Sequence, residues 1–168
     1  MTNKRILGGL AAAAFTATAV PVYAHHSFSI FDASQTKTFT GVVTRVNPDA
    51  NHLQIFFAPM NEERKNVERG ADGKPIVWAV EMAGSAASAQ SGISVSAFPA
   101  GTIFTVSLHP LRSGEPAGAR EGALYKCPAK TPPAAGKHCD TVEGSVAIGA
   151  GFIDPAQQQQ QARPAGSN

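Results

Sequence analysis

Two adjacent histidines, His25 and His26, follow Val22-Tyr23-Ala24, which puts small residues at the two positions a bacterial signal peptidase reads. Lys4 and Arg5 make a basic start upstream, and residues 6–20 form an apolar, alanine-rich stretch, so cleavage after Ala24 is expected. The released chain would begin at His25. A free α-amine beside an imidazole is a chelate built from one residue, and His26 adds a second imidazole or a backbone nitrogen. Copper(II) favours nitrogen-rich tetragonal donor sets and leads the divalent affinity series. The α-amine, with an ordinary pKa of about 8, must give up a proton to bind it.

A second histidine from the folded domain would complete the T-shaped arrangement called a histidine brace. His52, which opens a strand just after a turn, is the first candidate, and His109, at the end of another strand before Pro110, is the second. Met82 offers a thioether suited to copper(I), against the alternative that it fills the core. Glu81 reads either as an acceptor that orients a ligating imidazole or as a solvated strand residue. Against the metal reading stand an exposed histidine pair without function and a packing or capping role. The apolar residues Phe28, Ile30 and Phe31 favour metal, because a terminus anchored to a core can hold a geometry.

Other chemistries find less support. Ser27 and Ser85 lack a nucleophile-elbow pattern, and the glycines form no phosphate-cradling motif ahead of a helix. Glu62-Glu63 lies in a charged surface stretch unsuited to a desolvated general acid. The balance is against an enzyme.

The elements that must position these residues belong to one domain. The chain has 168 residues, and removing the expected signal, 1–24, leaves 144, enough for a single core over 25–153. The signal carries two of the 14 Lys and Arg, which leaves twelve basic against twelve acidic residues. No basic stripe steers the protein to nucleic acid, and no stretch is long and apolar enough for a membrane span. The expected location is periplasmic or secreted. In such an oxidising compartment the only two cysteines, Cys127 and Cys139, read as a disulfide. A Cys/His metal site using His138 beside Cys139 is the rival, weakened by the lack of a CxxC partner.

Thr, Val and Phe enrichment predicts a strand over 37–47, bulged or bent at Gly41, and Asn47-Pro48-Asp49-Ala50-Asn51 is turn chemistry. Further strands are predicted over 52–58, 75–82 and 102–109, with Ile76, Trp78, Val80 and Met82 sharing one face of the third. Trp78 is expected in the core. A charged excursion over 61–73 carries a helical turn near 62–67, and 84–92 can form a short helix. Residues 110–140 read as an irregular loop insertion containing the disulfide, 141–148 as the fifth strand, and 154–168, with five consecutive glutamines, as a disordered tail. The expected class is all-β: a small five-stranded OB-like barrel with one short helix, a long disulfide-bearing loop and that tail. A two-sheet sandwich is the alternative.

Several of these residues form a recognisable series: His25-His26-Ser27-Phe28, Phe31-Asp32, Phe39-Thr40-Gly41-Val42-Val43, Asn47-Pro48, Trp78-Ala79-Val80-Glu81-Met82 and Gly84-Ser85. The series resembles a family of small exported bacterial proteins classed as a domain of unknown function. Similar members begin after the signal with His-His-Ser-Phe and carry an Asn-Pro-His turn, a Trp-Ala-Phe/Val-Glu-Met strand and a Pro-Gly turn, which Pro99-Ala100-Gly101-Thr102 approximates. Here Asp49-Ala50-Asn51 separates Pro48 from His52, and 110–140 departs as an insertion. The resemblance implies a small exported β-barrel and no established activity. The expected function is periplasmic metal binding, for copper sequestration or delivery, with His25, His26, His52, His109 and Met82 as candidate ligands. The alternative is a non-enzymatic OB-like module for a protein or oligomeric ligand, with 110–140 as its surface.

Overall fold

A computed structural model of the chain describes residues 28–49 and 51–150. The expected signal, His25, His26 and the tail 154–168 lie outside the described residues. Six strands and one short helix follow in the order β1 (Lys37–Asn47), β2 (His52–Pro59), β3 (Trp78–Gly84), α1 (Ser85–Gln90), β4 (Ile103–Pro110), β5 (Ala117–Lys126) and β6 (Val146–Ile148). β1 is antiparallel to both β2 and β4, β2 to β3, and β4 to β5. A short parallel pairing, Ala79–Glu81 against Ala117–Ala119, joins β3 to β5 and closes the first five strands into an OB-like barrel. β6 extends the sheet beside β5.

β1 matches its predicted bounds because a β-branched run ends at a Pro-containing turn. Its bulge falls between Val43 and Arg45 rather than at Gly41. Gly41 serves closeness instead: a Cβ there would press on the Phe57 ring and the Ala58 carbonyl. The inward positions of β2, β3 and β4 place Ile55, Phe57, Val80, Phe104, Val106 and Leu108 in the core at zero exposure. Aromatic rings run the length of the barrel. Phe98 meets Phe104 at 5.8 Å, Phe104 meets Phe57 edge-on at 5.4 Å, Phe57 meets Phe39 at 5.8 Å, and Phe39 meets Trp78 at 4.6 Å. Segment 85–98 closes the end where β3 stops, with Ile93 and Phe98 fully buried.

Three expectations change. The barrel's fifth strand is Ala117–Lys126, inside the stretch read as a loop insertion, and 141–148 shrinks to the three-residue β6. The 62–67 segment forms no helix, because the Asn61 carboxamide oxygen takes the amides of Lys65 and Asn66 and Arg64 turns left-handed at φ 57°. The start of the described chain is one 3-10 turn, Phe28–Ile30, followed by an arm. Phe31 anchors that arm, 7 % exposed and bridged to Leu111, whereas Ile30 is 55 % exposed. The expected disulfide is present: Cys127 and Cys139 are bonded, and both are buried.

Candidate metal site

The arm that leads back to His25 and His26 is fastened at several points. The Arg112 amide donates to the Ile30 carbonyl at 2.9 Å, and Arg112 Nε donates to the Ser29 carbonyl at 3.0 Å. The Asp32 amide donates to the Pro110 carbonyl at 2.8 Å. The Asp32 carboxylate accepts from the Ser34 hydroxyl and amide and from Gln35 Nε2, with Arg112 nearby at 3.7 Å. Those hydrogen bonds hold its carboxyl below the ordinary value of 3.8. Beside the arm, Asp32, Lys37, Trp78, Arg112 and Glu115 line a cleft of about 300 Å³. Trp78 therefore sits half-buried at the barrel's rim, under the Lys37 ammonium, rather than wholly in the core.

His52 opens β2 opposite Gly84, and its Nδ1 lies 2.5 Å from Glu81 Oε1. Both side chains are about a quarter exposed. Of the two readings of Glu81, this contact is the one that orients an imidazole. A carboxylate on Nδ1 fixes the tautomer that leaves the Nε2 lone pair as the coordinating position. Along β2 the site is separated from the arm's cleft. Trp78, on the arm's cleft, pairs with Phe57, five residues along β2 from His52, or roughly 17 Å at strand spacing. The three residues from Phe28 back to His25 reach at most about 11 Å.

The remaining candidates are also apart. His109, 7 % exposed, is covered by the arm, with Nδ1 at 2.8 Å from the Gln35 carbonyl. Met82, 3 % exposed, is part of the hydrophobic core, as its core-filler reading has it. Among the described residues, no three of His, Cys, Asp and Glu gather as a ligand set.

His138 enters a contact that the sequence did not suggest. The disulfide loop folds back over β1 and β4, which brings His138 Nδ1 within 2.9 Å of Thr40 Oγ1. Thr40 Oγ1 in turn meets Thr105 Oγ1 at 2.7 Å, and the Cys139 amide donates to Thr105 Oγ1 at 2.9 Å. Arg64 Nε donates to the Lys137 carbonyl at 2.9 Å and fastens the loop from its other side. Burial pushes the His138 pKa below 6.5, the Arg64 charge adds to that, and Asp140 opposes it. Because the folded imidazole resists a proton that the unfolded one accepts, stability is full above about pH 6.5 and falls as pH drops through the lowered folded pKa. Urea midpoints at pH 7.5 and 5.5 should thus differ less in His138→Gln than in the parent. An equal fall in both would remove His138 from the acid response.

The fold and these placements define a small OB-like barrel with a fastened N-terminal arm and a carboxylate-oriented histidine on its outer face. The chain belongs to a family of unknown function (DUF6152), whose family model matches residues 14–120. The match takes in the arm and β1–β4 and stops within β5, so the disulfide loop and β6 lie beyond it. No curated protein and no solved structure matches the chain. Among the described residues, no helix is long and apolar enough to cross a membrane.

Proposed function

We propose that this protein is an exported, periplasmic copper-binding protein that sequesters or delivers the ion through the α-amine and Nδ1 of His25 once residues 1–24 are removed. The observation that carries this reading is the fastening of the arm, with Phe31 buried against Leu111 and Arg112 holding the Ser29 and Ile30 carbonyls. A chelating terminus so close to a fixed point loses little freedom when it closes on an ion. His26 is the nearest further imidazole. His52, oriented by Glu81, is a further nitrogen donor and the first candidate for the brace's second arm.

Isothermal titration of the processed protein with copper(II) tests the proposal, the first residue being checked by intact mass. The parent should bind one ion, more weakly as pH falls below about 8 and the α-amine regains its proton. His25→Ala should lose more than the roughly 10- to 100-fold that removing a merely orienting partner costs. Equal affinity in the two, or a chain that does not begin at His25, would end it. The alternative reading, a non-metal module using 110–140 as its surface, keeps a smaller area than expected, because 117–126 is a wall of the barrel.

A further inference from the structure

An apolar cleft of about 430 Å³ lies between the β1–β2 turn, α1 and the segment after α1. Pro48, Leu53, Ala89, Ile93 and Val95 line it together with three serines. Val95, half exposed, stands beside it as one of the few large apolar side chains left in water. The described chain ends at the same place. Gly149 turns left-handed at φ 72°, and a Cβ there would press on the Arg120 guanidinium and lie 3.3 Å from the Ile93 side chain. Ile148, one residue earlier, packs on the core, and its Cγ2 lies near Gly92. The backbone thus leaves the fold beside Ile93, the residue that also lines the cleft.

The residues beyond Gly149 have a chemistry suited to that cleft. Phe152 and Ile153 are the last large apolar residues of the chain, and only Asp154-Pro155, the glutamine run and small or polar residues come after them. Three residues separate Phe152 from Gly149, a reach of up to about 11 Å. We propose that the cleft is the seat of the chain's own Phe152-Ile153 pair, which covers this end of the barrel and leaves the hydrophilic tail to begin at Asp154. Copper plays no part in this seat.

Nuclear Overhauser contacts in the labelled full-length mature protein test this directly. The Phe152 ring should show intramolecular contacts to the methyl groups of Leu53, Ile93 and Val95. Ala89→Trp, at an exposed cleft position, should fill the seat and release the pair. Chymotryptic cleavage after Phe152 should then accelerate by roughly ten- to a hundredfold, the equivalent of returning one phenylalanine side chain to water. Phe152→Ser should raise the fluorescence of a hydrophobic dye relative to the parent and supplies a second variant should the tryptophan disturb α1. Equal cleavage rates in parent and Ala89→Trp would overturn the proposal. So would contacts seen only between differently labelled molecules, which would make a second copy the occupant.

Discussion

Replacing Phe104 by alanine is expected to cost about 3–5 kcal/mol, the largest effect of any single substitution considered for this barrel. The ring is fully buried and stands edge-on to both Phe57 and Phe98, so its removal interrupts the aromatic line at the middle. Neighbours cannot easily collapse into the space. Phe57 is held against Gly41, where β1 passes too close for a side chain, and Phe98 is held by the closing segment after α1. The lost contacts and the residual cavity therefore add. For a domain of ordinary stability, about 5–15 kcal/mol, this takes from roughly a fifth to nearly all of it. Urea denaturation followed through Trp78, the chain's single tryptophan, reads the change from the far end of the same aromatic line. A loss below about 1.5 kcal/mol would mean that the core repacks around the gap and that the rings do not act as a continuous support.

How much of this fold was legible in the sequence depends on which side chains each strand must turn inward. β2 and β4 were readable because their inward positions are large and apolar, as with Phe104, Val106 and Leu108, and β1 because a β-branched run ends at a Pro-containing turn. β5 was not, because its inward and contact positions over 118–120 are Gly, Ala and Arg, and Leu124 is its one large apolar core residue. Arg120 stands opposite Leu108 and is 2 % exposed, its pKa pushed down to about 10 by burial. Gly118 has no room for a side chain, since a Cβ there would meet the His109 backbone and Leu108. Closing a small barrel brings two strands together at a tight parallel contact, and small residues are the physical consequence. To a reader of periodicity they look like a loop.

The candidate site was legible in its parts and not in its arrangement. Strand alternation left Glu81 as either a solvated strand residue or an acceptor for an imidazole, and the structure sets it against His52 Nδ1. The separation of His52 from the arm depends on register around the barrel, which no local pattern records. His138 was unreadable for a related reason: its neighbour Thr40 is 98 residues away, and the contact exists only because the disulfide loop folds back over β1.

That loop carries the second large expected effect. Replacing Cys127 and Cys139 together by alanine should lower stability by about 3 kcal/mol, the loop-closure entropy returned to the unfolded chain across a twelve-residue separation. Alanine at both positions leaves no buried thiol or hydroxyl to satisfy, so the loss reports the link itself. The bond joins the end of β5, where the Cys127 amide donates to the Ile103 carbonyl, to the turn held at Thr105 through the Cys139 amide. Without it, the loop is held by Arg64, the threonine pair and the Gly136 amide on the Glu62 carbonyl, and His138 gains access to water. The double variant should therefore lose part of its acid sensitivity along with its stability, because an imidazole that is solvated when folded no longer differs from the unfolded one. Urea midpoints at pH 7.5 and 5.5 measure both effects. A variant that lost about 3 kcal/mol but kept the full pH difference would show that the loop's hydrogen bonds hold His138 in place without the disulfide, and would confine the disulfide's contribution to the unfolded chain.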